Sequence, residues 1–287
     1  MINEVTSSKK SKRRNSFRPR RQFGQHWLRD ETILEQIILA AELTNSDRVL
    51  EIGPGTGNLT TRLLSEAAAL VSVEIDRDLC KKLVHKYGER DNFLLAQDDF
   101  LKLDLSSLLQ NFPKFNHPNK VVANIPYNIT GPIIEKLLGK IANPAPQNYE
   151  SIVLLVQKEV GERLVAIPGS KAYGALSIRV QYLANCELIC DVPARSFYPP
   201  PKVDSVVIKL TPRKLKNVAN NPRQLETLIK LGFASRRKML RNNLKSLINA
   251  ENLNQLLEQL NFNPQCRAED LSLENWILLS NSIDQAK

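Results

Sequence analysis

A glycine-rich segment follows a short apolar run early in the chain, in the stretch VLEIGPGTGNLT at 49–60. Gly53, Gly55 and Gly57 allow the backbone to turn tightly and to approach a nucleotide-sized ligand at the carboxyl end of a strand. A ligand-free turn between a strand and a helix needs fewer glycines. The dinucleotide fingerprint G-x-G-x-x-G requires a glycine at position 58, where this chain has Asn58. That difference disfavours a pyrophosphate-binding loop.

Polar residues end the next three predicted strands at regular intervals. Glu74 closes the segment VSVEID, 21 residues after Gly53, and Asp99 and Asn124 follow at intervals of 25. Asp98 competes for the third position, and we favour Asp99 because the loop segment DFLKLD begins there. Open α/β sheets bind ligands at the carboxyl ends of their strands, so these four residues are expected to share one site. An acid at the second strand end binds ribose hydroxyls in dinucleotide and S-adenosylmethionine sites alike.

Strands and helices that would position these residues alternate through the first two-thirds of the chain. Apolar runs predict strands at 48–53, 68–76, 92–98, 119–126, 151–157 and 204–210. Helical spacing predicts helices at 30–43, 58–67, 77–88, 131–141 and 158–166. Apolar strands between helices imply a parallel sheet that is covered on both faces, which is a Rossmann-like α/β architecture.

The pattern beyond residue 212 is helical only. Together with the basic N-terminal run and the alternating strands and helices, this change of pattern predicts three parts. They are a disordered basic arm at 1–21, an α/β domain at 22–211 and a small all-α domain at 212–287. A helical pattern over 223–247 places Arg237 and Arg241 four residues apart on one helix face. The chain length is sufficient for this division into two modest domains.

The charge distribution points to a polyanionic partner. The chain carries a net charge of +10, and the runs 9–21 and 235–245 are rich in Lys and Arg without an acid. Nucleic acid is favoured over an anionic membrane because no large amphipathic stripe accompanies either run. The cysteines and histidines have no zinc spacing, so no metal is expected. The absence of a membrane-span pattern and of a secretory pattern favours a cytoplasmic protein.

Seven short motifs occur in the order in which one enzyme family has them. They are FGQHWL (23–28), EIGPGTG (51–57), VEID (73–76), ANIPYN (123–128), SKAYGALS (170–177), FYPPPKVDS (197–205) and RRKMLRNNL (236–244). On these motifs the chain resembles the ribosomal RNA adenine N6,N6-dimethyltransferases, and within them the bacterial small-subunit (16S) branch. The large-subunit branch that confers macrolide resistance is the alternative within the family. A ribosome-assembly or transcription factor on the same fold is the alternative from another class, and an NAD-dependent oxidoreductase is disfavoured by Asn58.

The resemblance implies a cofactor and a substrate. The cosubstrate would be S-adenosylmethionine, and the substrate two adjacent adenosines near the 3′ end of 16S rRNA, within the rRNA or a small-subunit precursor, modified by a monomeric enzyme. Six residues are expected to contact the cofactor: His26, Leu28, Gly53, Glu74, Asp99 and Asn124. The family usually has Asn-Phe where this chain has His26-Trp27, so residue 26 is expected to contribute through its backbone.

The segment NIPY is expected to hold the target base. Our hypothesis is that the side-chain oxygen of Asn124 and the carbonyl of Ile125 accept the two N6 hydrogens, which directs the lone pair of N6 at the methyl group. Tyr127 would stack on one face of a flipped adenine, and Phe197 would close the other face. Five basic residues are expected to contact phosphates: Lys202, Arg236, Arg237, Lys238 and Arg241.

Overall fold

The computed structural model describes residues 24–146, 149–214 and 216–285, and the basic arm predicted at 1–21 lies outside these ranges. The strands are β1 (Trp27–Leu28), β2 (Arg48–Ile52), β3 (Ala69–Glu74), β4 (Phe93–Gln97), β5 (Lys120–Asn124), β6 (Gly139–Lys140), β7 (Asn143–Pro144), β8 (Ser151–Gln157), β9 (Ala184–Val192), β10 (Phe197–Tyr198) and β11 (Ser205–Pro212). The helices are α1 (Glu31–Ala41), α2 (Asn58–Glu66), α3 (Arg77–Tyr87), α4 (Leu105–Leu109), α5 (Thr130–Leu138), α6 (Lys158–Val165), α7 (Ala175–Leu183), α8 (Pro222–Gly232), α9 (Leu240–Asn243), α10 (Ala250–Gln259) and α11 (Leu273–Gln285).

Seven strands form one sheet in the order β4-β3-β2-β5-β8-β11-β9. The first five run parallel, and β11 is antiparallel to both of its neighbours, β8 and β9. The strand order reverses between β2 and β5, which places a crevice at the carboxyl ends of the central strands. A separate two-stranded ladder joins β1 to β10, with Trp27 opposite Tyr198 and Leu28 opposite Phe197.

Helices cover both faces of the sheet because its central strands are apolar on both sides. On one face, Val49 and Leu70 pack against α1, α2 and α3. On the other face, Leu50 and Val71 pack against α5 and α6. Residues that are neighbours in a strand alternate between the two layers, as the period of two in a strand requires. The glycine loop and the other strand ends are therefore mounted on rigid, buried elements.

Side-chain caps begin two of the helices that frame the crevice. The Asp30 side chain accepts from the Ile33 amide at 3.4 Å at the start of α1, and the Asp76 side chain accepts from the Asp78 amide at 2.9 Å at the start of α3. Acidic residues at these positions satisfy amides that have no partner within the helix. The helix predicted to begin near residue 30 thus has its N-cap at Asp30.

The Rossmann-like fold class is confirmed, with differences in detail. The predicted strand at 151–157 matches β8, and the other predicted strands lie within three residues of the observed ends. The strand predicted at 92–98 ends at Gln97, so Asp98, and not Asp99, is the first residue beyond it. Helix α7 and strand β9 were not predicted from the sequence. The edge strand β9 has mostly half-exposed or exposed residues, and it lacks the apolar run that marked the central strands.

Four C-terminal helices pack around a second core in which Trp276 is fully buried. Tyr173 and Tyr182 from the preceding segment also belong to this core, so it extends to residues before 212. The domain boundary at 212 stays a prediction. The continuous helix expected over 223–247 is wrong, because α8 ends at Gly232 and α9 begins only at Leu240. The Asn243 side chain donates to the carbonyls of Gly232 and Ser235 and stabilises the turn between them.

Candidate active site

One crevice lies at the carboxyl edge of the sheet, between the ends of β2, β3, β4 and β5 and the small strand β1. All six residues expected to contact the cofactor line it, as do Ile125 and Tyr127. Its other lining residues include Glu51, Asn58, Ile75, Asp98, Phe100 and Pro126. Residues from 26 to 127 in the sequence therefore meet in one place, as the spacing of the strand ends predicted.

The glycine loop turns tightly at the end of β2 and is closely packed by its neighbours. Gly53 and Gly55 have φ values of +66° and +59°, in the region that favours glycine. A Cβ at Gly55 would lie 3.0 Å from Cδ1 of Trp27, whereas the nearest atom to a Cβ at Gly53 would be Cδ of Pro126 at 4.0 Å. A Cβ at Gly53 would thus be in van der Waals contact with Pro126, so the glycine loop and the NIPY segment lie close together where both line the crevice.

Glu74 is the buried acid at the end of β3. Its Oε2 accepts from the Gly55 amide at 3.1 Å, and its Oε1 accepts from the Asp76 amide at 2.9 Å. Burial raises the pKa of this carboxyl, and the two backbone donors oppose that shift. A carboxylate oxygen accepts more than one hydrogen bond, so both oxygens of Glu74 retain capacity to bind hydroxyl groups of a ligand.

The loop after β4 presents two acids to the crevice. Oδ1 of Asp98 accepts from the Asp99 amide at 2.6 Å, and Oδ1 of Asp99 accepts from the Leu101 amide at 3.0 Å. The Lys136 ammonium donates to the Leu103 carbonyl at 2.6 Å and anchors the far end of this loop. Both acids line the crevice, so the preference for Asp99 over Asp98 stays a prediction.

The first residue of the NIPY segment is tied to β1. Nδ2 of Asn124 donates to the His26 carbonyl at 3.1 Å. This bond directs the amide nitrogen of Asn124 toward β1 and leaves Oδ1 as its acceptor. Nδ2 of Asn58 donates to the Leu28 carbonyl at 2.7 Å, so the backbone of β1 is held at both ends. The role of Asn58 in positioning β1 was missed, although its place directly after the glycine loop was a usable signal.

The His26 side chain makes contacts that the sequence did not predict. Its Nδ1 lies 2.8 Å from the Pro199 carbonyl, and because a carbonyl only accepts, Nδ1 carries the proton. The His26 ring also stacks on the Tyr127 ring, with centroids 5.9 Å apart and planes 15° apart. The Tyr127 hydroxyl lies 2.6 Å from Oγ of Ser205, and burial raises the pKa of this phenol. His26 thus joins the NIPY segment to the proline turn after β10.

Glu51 is a second buried acid in the crevice, and the sequence analysis did not select it. Thr60 donates to both of its oxygens, at 3.1 and 2.8 Å, and Ser72 donates to Oε2 at 2.7 Å. Complete burial raises the pKa of Glu51 to about 7. The signal in the sequence was a single acid inside the apolar run VLEIG, since buried acids of this kind have a partner or a function.

Comparison with known proteins identifies the family. A model described as "Ribosomal RNA adenine dimethylase" matches residues 16–285. The chain belongs to this family. It is 64% identical, over 92% of its length and 97% of the relative, to a "Ribosomal RNA small subunit methyltransferase A" of Trichormus variabilis. A dimethyladenosine transferase from Plasmodium falciparum is similar in structure, with a TM-score of 0.76, 29% identity and coverage of 91% of this chain and 98% of that one. The 23S rRNA methyltransferase ErmE is also similar, with a TM-score of 0.69, 26% identity and coverage of 90% and 100%.

The adenine dimethylase family expected from the seven motifs is therefore confirmed. Within this member of the family, Phe197 differs from the other three expected catalytic residues in its position. It is 4% exposed, pairs with Leu28 in the β1–β10 ladder and packs with Val207 in the core, away from the lining of the crevice. Closure over a base by Phe197 stays a prediction that requires movement of this segment.

The basic residues expected to bind RNA divide into two groups in this adenine dimethylase. Lys202, Arg237 and Lys238 are exposed, Arg241 is half-buried, and none of these four has an ion pair within the described residues. Arg236 instead pairs with Glu269 and donates to the carbonyls of Lys171 and Tyr173, at 2.8 and 3.2 Å. A phosphate contact by Arg236 would compete with these bonds. Arg237 lies in the turn before α9, so it does not share a helix face with Arg241.

Two further searches cover only the residues that the structure describes. Within them, no three His, Cys, Asp or Glu side chains come together in a group that could hold a metal ion. In the same ranges, no helix has the length and apolar character to cross a membrane.

Proposed function

We propose that this protein transfers methyl groups from S-adenosylmethionine to N6 of two adjacent adenosines near the 3′ end of small-subunit rRNA. The observation that carries the proposal is the convergence of Gly53, Glu74 and Asn124 on one crevice in a chain of the adenine dimethylase family. The identity of 64% to a relative named for the small subunit, against 26% to ErmE, supports the small-subunit substrate over the large-subunit alternative.

The residues of the crevice fit S-adenosylmethionine. Glu74 would accept the ribose hydroxyls, since its buried carboxylate faces the glycine loop with acceptor capacity remaining. Asp98 or Asp99 would bind the polar edge of the adenine, between the side chains of Ile75 and Phe100. The cosubstrate supplies a methyl group on a positively charged sulfur, which needs no proton from the protein to react.

The protein's own contribution is to position the amine of the substrate. Oδ1 of Asn124 and the Ile125 carbonyl would each accept one N6 hydrogen, and Pro126 limits the backbone freedom of this segment. The bond from Nδ2 of Asn124 to the His26 carbonyl supports this role because it orients Oδ1 as the free acceptor. Tyr127 would stack on the adenine through the ring face that His26 does not cover. After transfer, the N6 proton would leave to water.

We also infer that the enzyme acts as a monomer in the cytoplasm on rRNA within a maturing small subunit. The exposed basic residues after α8 would contact phosphates of that subunit and supply affinity. Both the proposed enzyme and a pure assembly factor would use this basic surface, so it does not distinguish the two. A pure assembly factor would have no need of the buried Glu74 and the oriented Asn124.

The test is methylation of small-subunit particles that lack the modification, with labelled S-adenosylmethionine and mapping of the product by mass. We expect two neighbouring adenosines that each gain two methyl groups. Incorporation into large-subunit rRNA, or binding without incorporation, would contradict the proposal. The Glu74→Gln variant, with the exposed Glu66→Gln as a matched control, separates loss of cofactor binding from loss of particle binding.

A further inference from the structure

An exposed aromatic residue outside the proposed catalytic residues lies in β10, which pairs with the crevice-lining strand β1. Phe197 and Tyr198 form β10, and successive side chains of a strand point to opposite sides. Phe197 points into the core, and Tyr198 points outward with 47% of its surface exposed. Its strand partner is Trp27, which lines the crevice, and the next residue, Pro199, accepts from His26. Tyr198 is not itself a lining residue, but these contacts hold it next to Trp27 and His26, which both line the crevice.

An arginine covers part of this aromatic residue. The guanidinium carbon of Arg29 lies 4.0 Å from the centroid of the Tyr198 ring, within the range of a cation–π contact. The Arg29 amide donates to the Ser196 carbonyl at 2.9 Å, which fixes the backbone below it. The Arg29 side chain has no ion pair with any residue in the described ranges. Arg195 precedes β10 and Lys202 follows it; both are exposed, and neither has an ion pair with a described residue.

This combination suits one class of ligand. Unpaired bases stack on aromatic rings and on guanidinium planes, and the phosphates between them are attracted by nearby positive charges. A single strand of RNA fits both features, because its bases can stack on Tyr198 and Arg29 and its phosphates are attracted by the basic residues nearby. The proposed substrate has two neighbouring adenosines, and when one enters the crevice the other must lie unstacked near the entrance.

We propose that Tyr198 and Arg29 form a stacking platform for the unpaired nucleotide next to the target adenosine. This inference rests on the proposed function, since it places the target base in the crevice. The platform holds the neighbouring base while the first adenosine is methylated, so it contributes to productive binding and not to the chemical step. Tyr198 and Arg29 are positioning residues of the substrate strand.

The first test compares kcat/KM on unmodified small-subunit particles for the full-length protein and five variants. Tyr198→Ala is expected to lower kcat/KM about tenfold, because stacking of one base on an aromatic ring typically raises binding affinity by a factor of about 5 to 150. Tyr198→Phe retains the ring and should stay within about twofold of the wild type. Phe112→Ala is the matched control, because Phe112 is also an exposed aromatic (40%) but lies before β5, at the opposite edge of the sheet.

The fourth and fifth variants are Arg29→Ala and the double variant Arg29→Ala with Tyr198→Ala, and together with Tyr198→Ala they complete a double-mutant cycle. If both residues hold one base, the double variant should lose little more than the worse single variant. Losses that multiply would indicate two separate contacts and would overturn the shared platform. A Tyr198→Ala enzyme within about twofold of the wild type would overturn it too. Thermal unfolding of each variant shows whether a loss of activity comes from a loss of folding.

A second measurement identifies the nucleotide. A Tyr198→p-benzoyl-phenylalanine protein is irradiated on the particles, and the crosslinked position is mapped by primer extension, with Phe112→p-benzoyl-phenylalanine as the control. A crosslink to the nucleotide beside the methylated adenosine is expected. A crosslink elsewhere, or none above the control, contradicts the platform while wild-type methylation leaves the proposed function intact. Failure of the wild type to methylate the particles would instead refute the proposed function.

Discussion

At the residue scale, hydrogen bonds within the protein orient the side chains of the candidate site toward a ligand. Asn124 donates to the His26 carbonyl, and Glu74 accepts from the amides of Gly55 and Asp76. The bond of Asn124 uses its amide nitrogen and leaves Oδ1 oriented for a ligand, whereas Glu74 has one backbone donor on each oxygen and retains further acceptor capacity on both. The site is therefore preorganised before any ligand binds, which is how enzymes position reacting groups at low entropic cost.

Asn124→Ala should lower the single-turnover rate of methyl transfer about a hundredfold, the usual effect of losing a group that acts in the transition state. Rapid-quench measurement with saturating S-adenosylmethionine gives this rate. Asn128→Ala removes the exposed amide four residues away and should leave the rate unchanged. A loss of less than about threefold for Asn124→Ala would make Asn124 a structural residue.

At the element scale, one buried acid joins β2, β3 and α2. Glu51 on β2 accepts from Thr60 on α2 and from Ser72 on β3, in a position that is 1% exposed. Its pKa rises from an ordinary value of 4.5 to about 7 in the folded protein. Between these values the folded state holds a proton that the unfolded state has released, so the free energy of unfolding falls as the pH rises.

Glu51→Gln should remove this pH dependence, because an amide of the same shape has no charge to bury. From pH 4.5 to above 7, the contribution of Glu51 to wild-type stability falls by roughly 3 kcal/mol, and the variant should lack this loss. Urea unfolding at pH 5 and pH 8 measures the difference. Glu66→Gln, at an exposed position on α2, is the control. If the free energy of unfolding changed equally between pH 5 and pH 8 in the wild type and in Glu51→Gln, the Glu51 carboxyl would be ionised over this whole range.

The contact between α8 and α11 allows a second prediction at this scale. A Cβ at Gly232, the last residue of α8, would lie 2.4 Å from Cη2 of the fully buried Trp276. Gly232→Ala should therefore destabilise the protein by about 1–3 kcal/mol through overpacking. Gly131→Ala is the matched control, since a Cβ there meets nothing within 4 Å and alanine favours a helix such as α5. Unfolding in urea compares the two, and equal stability would show that Trp276 can move aside.

At the scale of the whole molecule, the charge of +10 is used in two ways. Some basic residues stabilise the fold, as Arg236 does through Glu269 and Lys120 through Asp47. Others, including Arg237 and Lys238, are exposed without an ion pair in the described part of the chain. The exposed residues without an ion pair can exchange counterions for phosphates of RNA. The residues that already form ion pairs would first have to break those bonds within the protein.

Arg237→Ala should weaken binding to small-subunit rRNA and reduce the slope of log K against log salt by about 1. Lys114→Ala removes the same charge from a residue that pairs with Asp91, before β5 at the other edge of the sheet. The control should leave the slope unchanged. Filter binding over a series of salt concentrations measures both. Equal slopes for the two variants would mean that net charge, and not this surface, governs RNA affinity.

The sequence by itself determined the fold class and the family, and it predicted the place of the candidate site. Apolar runs at the spacing of alternating strands and helices dictate a parallel sheet, and residues at strand ends must then meet at its carboxyl edge. Glu74, Asp98 or Asp99, and Asn124 were predictable for this reason. Their positions depend on backbone periodicity, which is a local property of the chain.

Tertiary structure alone decided which atoms of the site already have partners. His26 contacts Pro199, 173 residues away, and Arg236 contacts Lys171 and Glu269, so neither role could be read from local spacing. The turn between α8 and α9 depends on Asn243 reaching back to Gly232, and the burial of Phe197 depends on its pairing with Leu28. Contacts between distant segments arise only when the chain is packed, and they settle whether a polar or aromatic side chain is free to meet a substrate.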